Sequence, residues 1–437
     1  MKNLLHQTIH ILQIKSHICN PLKNPNPFSF MNFRNLLFAV FVCSVAACSQ
    51  QTEQKITDWQ DIEKDIQTKL IMAEDGAVIE LPAGNYKFKG SLSLEGKHNV
   101  TIKGAGLDKT ILSWEGQTEG AEGLKVENCS GLVFSDFTIQ NTKGDGIKTQ
   151  KIKRLTFQNM KVEWTGEPSE KNGAYGFYPV DCDSVVMDNC IAIGASDAGI
   201  YVGQSRDIIV KNCEAYHNVA GIEIENCIRA DVFNNYAHEN TGGLLVFDMP
   251  GLTQNGSKVR LHHNRSINNS YRNFAPKGNI VGEVPPGTGV MILATKEVEI
   301  FENDIEKNNT IGIAIVSYKL VQQSHSDTTF NPYPKAIYVH DNRISISTFS
   351  TPSLDYDLGK LLLYKFPISR PYIVFDGYMD PSIEIKNGNY VAPYSICIGD
   401  NGGAKFAAMD APNEFKNMTT DRTNFDCALT NLTPVNL

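Results

Sequence analysis

The feature that most constrains this chain is a glycine followed by alternating apolar residues, which recurs at a nearly constant interval along much of the sequence. Its eight members are Gly123, Gly146, Gly176, Gly199, Gly221, Gly243, Gly289 and Gly312. Their numbers differ successively by 23, 30, 23, 22, 22, 46 and 23, and the interval of 46 is two periods, or one period with a large insertion. Alternation with a period of two indicates β-strands, and self-similarity of this length is the signature of a stacked repeat.

A second apolar segment that ends in Asn or Asp follows most of these glycines, as at 186–189 and 209–212. Asn, Asp and Gly tolerate left-handed turns, so each unit holds short strands separated by tight turns. A unit of about 22 residues with three short strands is one coil of a right-handed parallel β-helix, and coils stack about 4.8 Å apart. The sequence therefore predicts an all-β chain with this architecture.

Both ends of a stacked solenoid need caps. The segment Thr57-Asp58-Trp59-Gln60 fits a capping box, which predicts an N-terminal capping helix over 57–71. Its apolar residues follow helical spacing: Trp59, Ile62, Ile66 and Leu70. We expect the β-helix to occupy 57–345, followed by irregular late coils and a C-terminal cap over 346–437.

The N-terminus contains a single apolar run at 36–47, between Arg34 and Cys48. It is too short for a spanning helix, which needs about 20 residues, and its basic start and small final residues indicate a secretory signal. Small residues before Cys48 resemble a bacterial lipobox, with Cys48 as the lipidated residue. Because Met31 is a natural start, we interpret 1–30 as a mis-called extension, 31–47 as the lipoprotein signal peptide and 48–56 as a tether.

These features predict an exported lipoprotein, anchored to a membrane through Cys48, in the periplasm or on the outer membrane of a Gram-negative-type bacterium. The formal net charge is −8 and no basic patch stands out, which argues against nucleic acid as a partner. An exported chain can oxidise cysteine pairs, and the spacing of Cys397 and Cys427 near the C-terminus makes them one candidate pair, which the sequence alone leaves open.

Like residues stack on like in successive coils. Cys190 and Cys213 lie at equal distances from their glycines, and so do Asn189 and Asn212. For the cysteines, a stack of small buried residues is favoured over a disulfide or a metal site, because free cysteine packs as a small hydrophobe. For the asparagines, we expect an internal ladder at a turn.

Five segments carry a resemblance to a known family: 175–181, 196–205, 219–226, 241–251 and 278–289. Over about residues 70 to 345 the chain resembles an uncharacterised family of bacterial parallel β-helix repeat lipoproteins. This resemblance implies an exported c-type cytochrome-like protein as a partner, and it supplies no activity or catalytic residue. The wider resemblance is to the pectate lyase-like superfamily.

A local resemblance to mannuronan C5-epimerases lies at Tyr175-Gly-Phe-Tyr-Pro-Val-Asp181. The epimerase motif is Tyr-Gly-Phe-Asp-Pro-His-Asp, so Tyr178 stands in place of its first Asp and Val180 in place of its His. The charged and proton-transferring positions of the motif are therefore half lost, which argues against epimerase chemistry.

Side chains alternate between the two faces of a strand. The first and third residues after each glycine are mostly apolar, so they are predicted to face the core, and the second and fourth to face outward. The second residues then form an outward strip with one member per coil, about 4.8 Å apart: Lys125, Lys148, Tyr178, Tyr201 and Glu223.

This strip is the predicted functional site. Stacked tyrosines offer flat faces to sugar rings, and Lys148, Tyr178 or Tyr201 is a candidate for proton abstraction next to a uronate carboxylate. Glu223 or Asp181 is a candidate for protonating the leaving oxygen. Further ligand-binding residues are predicted beside them: Lys125, Gln204, Glu225, Asn226 and Asp248. The alternative is that these residues suit any exposed strand and stack in charge ladders.

The strip becomes apolar in later coils, at Leu245, Phe247, Met291 and Leu293. Because a bare apolar patch is costly, the inserted loops 249–257 and 270–288 are expected to cover it. They either form one wall of a groove or only hide the apolar residues.

Two hypotheses follow from these residues. The first is a β-helix that binds or processes a polysaccharide as a lyase, hydrolase or epimerase; the second is a non-catalytic binding scaffold that works with the cytochrome-like partner. No cofactor is certain. Calcium between Asp181, Asp183 and Asp197 is conceivable, because lyases of this architecture often use it.

Overall fold

The computed structural model describes residues 59–321, 325–346 and 350–437. The predictions for 1–30, 31–47, Cys48 and the tether lie outside the described residues. Within the described ranges, three long sheets of eleven strands each run along the chain, and the strands of each pair in parallel. The three sheets form the walls of a parallel β-helix, which confirms the predicted fold class.

Sheet 1 carries the predicted strip. Its strands are Leu92–Glu95, Leu124–Glu127, Ile147–Gln150, Tyr175–Val180, Ala198–Gly203, Ala220–Glu225, Gly242–Phe247, Thr288–Leu293, Ile311–Val316, Ile373–Phe375 and Phe406–Ala408. Sheet 2 contains the strands Val78–Glu80, Thr101–Lys103, Ser130–Ser135, Lys153–Gln158, Asp183–Asp188, Arg206–Lys211, Ile228–Phe233, Ser257–His262, Lys296–Phe301, Lys335–His340 and Ile396–Ile398.

Sheet 3 closes each coil. Its strands are Trp59–Gln60, Gly84–Lys87, Thr110–Ser113, Thr138–Gln140, Lys161–Glu163, Ile191–Ile193, Glu214–Tyr216, Tyr236–His238, Arg265–Ile267, Asp304–Glu306 and Arg343–Ser345. A short antiparallel pair, Ile385–Lys386 with Asn389–Tyr390, lies outside the three walls. The described helices are α1 (Glu63–Met72), α2 (Tyr318–Val321) and α3 (Asp357–Lys365), with 3-10 turns at Ile280–Glu283 and Ala411–Asn413.

The core lies inside the coils, where the alternation placed it. Residues one and three positions after the glycines are buried, for example Ile200 and Val202, or Ile222 and Ile224. Residues of the same type stack from coil to coil because the parallel register pairs equivalent positions, as Ile200 pairs with Ile222. At about 25 cal/mol per Å² of apolar surface removed from water, this continuous stack is the main stabilising contribution of the solenoid.

The predicted asparagine ladder is wrong by one residue. Asn189 and Asn212 lie at the surface side of their turns and adopt left-handed backbone conformations, with positive φ angles. The internal ladder is formed by the residues that follow them, where Cys213 N donates to Asn235 Oδ1 at 2.9 Å and Asn235 N to Asn264 Oδ1 at 3.1 Å. It continues through Asn303, Asn342 and Asn401.

Each asparagine side chain of the ladder accepts a hydrogen bond from a backbone N–H at a buried turn. Without this acceptor, the unsatisfied N–H would cost about 1–3 kcal/mol of stability. Cys190 and Cys213 occupy the first positions of this column as free buried thiols, and Cys190 N donates to Cys213 Sγ at 3.4 Å. This confirms the stack of small buried residues. The prediction placed the ladder one residue too early. In the turns at 189–190 and 212–213, a surface residue with left-handed backbone conformation precedes the residue whose side chain points into the core.

The N-terminal cap begins later than predicted. Trp59–Gln60 is a strand that pairs with Asn85 and Tyr86, so the capping box is wrong. Helix α1 starts at Glu63, and its N-cap residue Ile62 makes no side-chain capping bond. Ile66 and Leu70 are buried, as the apolar face predicted. At the edge of sheet 3, residues 59–60 take strand backbone that pairs with 85–86 in place of a helical turn.

Coils continue past residue 345. Ile373–Phe375 and Phe406–Ala408 extend sheet 1, and Ile396–Ile398 extends sheet 2. The candidate pair Cys397 and Cys427 forms a disulfide, which joins the last strand of sheet 2 to the C-terminal segment. Among the described residues, no helix is long and apolar enough to cross a membrane.

Candidate functional site

The predicted strip exists as a column of sheet 1. Lys148 pairs with Lys125 on one side and with Tyr178 on the other, and Tyr201 pairs with Glu223. Tyr178 and Tyr201 are neighbours because Phe177 pairs with Ile200. Only the first half of the column is open, since Tyr201 is 4% exposed and Glu223 is 1% exposed.

The second half of the column lies beneath a separate apolar cluster. Leu245, Phe247, Met291 and Leu293 are buried against Phe274, Val281 and Val284 of the loop 270–288. Tyr318 of α2, Leu362 of α3 and Met409 complete the cover. The expected covering role of the loop is therefore confirmed, and the C-terminal coils contribute to it as well.

Three tyrosines form one aromatic cluster at the border between the open and covered halves. The ring centroids of Tyr175 and Tyr178 are 4.4 Å apart, and those of Tyr175 and Tyr201 are 4.6 Å apart. Tyr178 meets Tyr201 edge to face at 5.0 Å. Burial raises the pKa of Tyr178 to about 12, and it raises the pKa values of Tyr175 and Tyr201 well above the usual range. All three phenols are therefore neutral near pH 7.

Three carboxyl groups surround this cluster. Tyr201 donates a hydrogen bond of 2.7 Å from its hydroxyl to Glu225 Oε1, and Asn279 Nδ2 donates to Asp197 Oδ2 at 3.0 Å. The third group, Glu223, is buried, and its Oε2 has no hydrogen-bond partner among the described residues. The loop 270–288 therefore does two things: it covers the apolar half of the column, and through Asn279 it donates a hydrogen bond to Asp197.

Burial and mutual repulsion shift the titration of these acids. Burial, with added repulsion from Glu225, raises the pKa of Asp197 to about 7. Burial, with added repulsion from Asp197 and Glu225, raises the pKa of Glu223 well above its usual value. Burial also raises the pKa of Glu225, which the Tyr201 hydrogen bond opposes. Three neighbouring carboxyls cannot all ionise near neutral pH, so at least one retains a proton.

Lys148 and Asp145 stand at the open side of the cluster. Lys148 Nζ lies 5.2 Å from the ring centroid of Tyr178, which is a cation–π distance. Asp145 Oδ1 accepts a hydrogen bond from Tyr175 N at 3.3 Å. Burial raises the pKa of Asp145 to about 6, and the positive charge of Lys148 partly opposes this shift.

Other predicted residues lie apart from this cluster or have structural partners. Asp181 is exposed on a left-handed turn with a positive φ. Lys125 Nζ forms an ion pair of 3.1 Å with Glu127. The structure gives Gln204, Asn226 and Asp248 a different role from the predicted ligand contacts, because they hold the loop 249–257.

The contacts to that loop are specific. Gln204 Oε1 accepts hydrogen bonds from N and Oγ1 of Thr253, both at 3.0 Å. Asn226 Nδ2 donates to the carbonyls of Met249 and Gln254 at 2.9 and 2.8 Å. Asp248 Oδ1 accepts from Gly256 N at 2.8 Å, and burial raises the pKa of Asp248 to about 7. Sequence reasoning had no signal for this role, since the loop fold was unknown.

The residues conceived as calcium ligands do not form one group. Asp181 and Asp183 are exposed, whereas Asp197 is buried beneath Asn279. Over the described ranges, no set of three His, Cys, Asp or Glu side chains is arranged to hold a metal ion. Two surface cavities also lie elsewhere. One is lined by Lys335, Ser382 and Tyr394, and the other by the C-terminal end of α1 and the segment 73–80.

The predicted strip left out four residues of the cluster: Asp145, Tyr175, Asp197 and Asn279. Of these, Asp197 was a candidate only for calcium, and Tyr175 was noted only in the epimerase-like segment. Strict alternation from Phe177 places Tyr175 inside, but Gly176 and Phe177 both face the core. A Cβ atom on Gly176 would lie 2.4 Å from the Gly199 carbonyl oxygen and 3.5 Å from Ala192 Cβ. Tyr175 is thereby turned outward. An acid or tyrosine just before the repeat glycine was the available signal for Asp145 and Tyr175.

Residues 90–255 match the family model described as the right handed beta helix region. Together with the three parallel sheets, this match makes the chain a right-handed parallel β-helix protein. No curated protein has a significant sequence match to it.

Among solved structures, the chain is similar to the A-module of a mannuronan C-5 epimerase from Azotobacter vinelandii, with 17% identity and a TM-score of 0.46. That match covers 72% of this chain and 90% of the other. It is also similar to a DFA-IIIase from Arthrobacter chlorophenolicus, with 12% identity, a TM-score of 0.45 and coverage of 72% and 81%. An endo-xylogalacturonan hydrolase from Aspergillus tubingensis matches with 12% identity, a TM-score of 0.36 and coverage of 66% and 94%.

Proposed function

We propose that this protein binds a polysaccharide along the open half of the sheet 1 strip and cleaves a glycosidic bond by general acid catalysis. The observation that carries the proposal is Glu223, a buried carboxyl with a free oxygen, placed between a tyrosine cluster and two further carboxyls. A carboxyl that keeps its proton near neutral pH is what protonation of a leaving oxygen needs.

The strand geometry supplies the binding surface. Tyr178 and Tyr175 are half-buried, so part of each ring remains open to a sugar face. Lys125 and Lys148 continue the same column toward the N-terminal coils, with one residue per coil. A chain of sugars that lies along this column meets aromatic faces and then the acids at its covered end.

The acids divide into two roles. Glu223 holds the proton and transfers it to the glycosidic oxygen as the bond to the sugar carbon breaks. A water molecule then adds to that carbon and gives up a proton, which restores the acid form of Glu223. Glu225, oriented by the Tyr201 hydroxyl, stabilises the positive charge that develops on the sugar ring. Two carboxyls with different environments are the pattern that glycoside hydrolysis uses. Proton abstraction by Tyr178 or Tyr201 is disfavoured because their raised pKa values keep both phenols neutral.

Lyase and epimerase chemistry fit this site less well. Both reactions on uronates need a cation to neutralise the substrate carboxylate, whereas this cluster is acidic apart from Lys148. In the epimerase-like segment, Tyr178 belongs to the aromatic cluster and Val180 is buried, so neither supplies the missing acid or base.

The described residues from 59 onward belong to one compact unit, so the fragment from Ser49 to Leu437 retains the whole site. We would incubate it with neutral, acidic and amino polysaccharides, and measure reducing ends, new double bonds and epimer signals. New reducing ends that disappear in Glu223→Gln, but not in the exposed control Glu80→Gln, support the proposal. Double bonds or epimers without new reducing ends would replace hydrolysis by lyase or epimerase chemistry.

The alternative is a non-catalytic scaffold that presents the same surface to a glycan and to an exported c-type cytochrome-like partner. Binding without turnover, together with co-purification of a haem protein, would favour this alternative. Haem absorbance in the captured fraction, without sugar turnover, would distinguish the scaffold from an enzyme.

We further propose that 31–47 exports the chain and that Cys48 carries a lipid that anchors it to a membrane. A disulfide between Cys397 and Cys427 supports an oxidising compartment, since such bonds are rare in reducing cytosol. Metabolic labelling with a fatty acid should mark the wild-type protein, and Cys48→Ser should abolish the label. Persistence of the label in that variant would refute the anchor.

A further inference from the structure

Within the described ranges, no ion pair joins a cation to Asp197, Glu223 or Glu225. The charges that shift the pKa values of Asp197 and Glu223 are those of other carboxyls. Lys148 acts on Asp145 at the open side of the tyrosine cluster. Burying negative charge without a partner is costly, so such a cluster either keeps protons or takes up a positive group.

The free oxygen of Glu223 points to a ligand as the compensating group. Its Oε2 is fully enclosed, has no hydrogen-bond partner among the described residues, and lies on a residue that is 1% exposed. A buried polar atom without a partner costs about 1–3 kcal/mol. Asn279 donates to one oxygen of Asp197, the Tyr175 hydroxyl also bonds this carboxyl, and Tyr201 donates to one oxygen of Glu225. A carboxylate has about four lone-pair sites on its two oxygens, so acceptors remain for a donor that enters beside the tyrosines.

We propose that the sugar chain taken by this site carries a free primary ammonium group, as a de-N-acetylated hexosamine does, and that Asp197 and Glu225 receive it. This inference rests on the proposed function. An ammonium group has three N–H donors and no acceptor, which matches a site made of carboxylate acceptors. Charge-assisted bonds of this type are about twice as strong as neutral ones.

The tyrosines complete the recognition. An ammonium group near the face of Tyr175 or Tyr178 gains cation–π attraction, and Lys148 already shows a cation 5.2 Å from the Tyr178 ring. The apolar face of the sugar packs on the same rings. Glu223 keeps its proton for the neighbouring glycosidic oxygen, so the site binds one positive group and stabilises the positive charge of the transition state with the same carboxylates.

The same carboxyl groups disfavour two other kinds of sugar, the uronates and the N-acetylated amino sugars. A uronate would bring a carboxylate toward Asp197 and Glu225, and like charges in a buried site repel strongly. An N-acetylated sugar carries no charge and offers one amide N–H, so it leaves most of the carboxylate acceptors unsatisfied. Selection is therefore expected to depend on the amine rather than on the length of the sugar chain.

The test is a calorimetric titration of the full-length protein with three oligosaccharides of equal length: a glucosamine oligomer, its N-acetylated counterpart and a uronate oligomer. The glucosamine oligomer should bind at least about tenfold more tightly than the N-acetylated one, a difference equivalent to about 1.4 kcal/mol. The uronate oligomer should bind most weakly.

Asp197→Asn and Glu225→Gln should reduce the preference for the free amine, while Glu80→Gln should leave it unchanged. The ratio of the two affinities is the decisive readout, because a variant that only weakens the fold lowers both affinities together. Circular dichroism would confirm that each variant is folded.

Equal affinity for the free and the acetylated oligomer would overturn this inference and leave the proposed function in place. Tighter binding of the uronate oligomer would do the same. If no member of the wider polysaccharide panel binds, the proposed function fails and this inference fails with it. A wild-type preference for the amine that survives both substitutions would overturn the assignment of Asp197 and Glu225.

Discussion

The hydroxyl of Tyr201 donates a hydrogen bond of 2.7 Å to Glu225 Oε1 across two adjacent coils of sheet 1. Tyr201 itself pairs in register with Glu223, which precedes Glu225 on the same face of the neighbouring strand. This diagonal contact orients one carboxyl and leaves the other without a partner among the described residues. Because the coils stack in this register, two glutamates of one strand differ in their hydrogen bonding. Glu225 is held by Tyr201, and Glu223 Oε2 is left without a partner among the described residues.

Tyr201→Phe should lower turnover by about tenfold to a hundredfold, because a hydrogen bond to a charged group contributes about 1.5–3 kcal/mol. Since that bond lowers the pKa of Glu225, its loss should shift the acidic limb of the pH–rate profile to higher pH. Steady-state kinetics across pH measure both effects. Tyr364→Phe, at an exposed ring on α3, is the matched control. An unchanged profile would remove Glu225 from the mechanism.

Glu223→Gln should abolish activity but stabilise the folded protein at alkaline pH. Burial raises the pKa of Glu223 in the folded state. The folded state therefore keeps a proton that the unfolded chain releases above about pH 4.3, so stability falls as pH rises from there toward the raised folded-state pKa. Gln carries no charge and escapes this loss.

Chemical denaturation at pH 5 and pH 8 tests the prediction. The variant should gain over wild type at pH 8 and little at pH 5, with a gain of about 1.4 kcal/mol for each pH unit through which the folded state retains the proton that the unfolded chain has lost. Glu80→Gln should show neither change, because Glu80 is exposed. A variant that is destabilised at both pH values would contradict the unpaired state of Glu223.

Phe274→Ala should loosen the cover over the apolar half of the strip. Phe274 is buried against the outer face of sheet 1, and removal of a buried aromatic ring costs about 3–5 kcal/mol. Exposure of Leu245 and Phe247 should increase the fluorescence of a hydrophobic dye. Ile368→Ala, at a residue that is 98% exposed, serves as control and should change neither quantity. A variant without added dye binding would show that the other covering segments suffice.

Asn264→Ala should destabilise the solenoid by about 3 kcal/mol, because it leaves buried backbone groups unsatisfied. The substitution removes the acceptor of the Asn235 N–H and a side-chain donor to the Val232 carbonyl. Asn212→Gly is the matched control, because Asn212 lies at the surface of its turn in a left-handed conformation that glycine adopts freely. Thermal unfolding compares the two. Equal shifts would mean that the internal ladder contributes no more than a surface turn.

The β-helix and the sheet 1 column were predictable from periodicity, because a repeat of constant length brings equivalent residues into register. Lys148, Tyr178 and Tyr201 were placed correctly for this reason. The asparagine ladder was misplaced by one position, since alternation alone does not reveal which turn residue takes the left-handed conformation. The capping box was wrong because Trp59 pairs as a strand residue with Asn85. The helix-start pattern at 57–60 is local, whereas this pairing partner is distant in sequence.

The sequence by itself determined the solenoid, because a local period decides which side chains face the core and which residues meet between coils. Only the tertiary structure decided the character of the site. Glu223 is an unpaired acid within the described residues because it is enclosed at the covered end of the column, and Asp197 belongs to the cluster because Asn279 reaches it from the loop 270–288. Burial by segments distant in sequence shifts these pKa values, and no periodic pattern encodes such a contact.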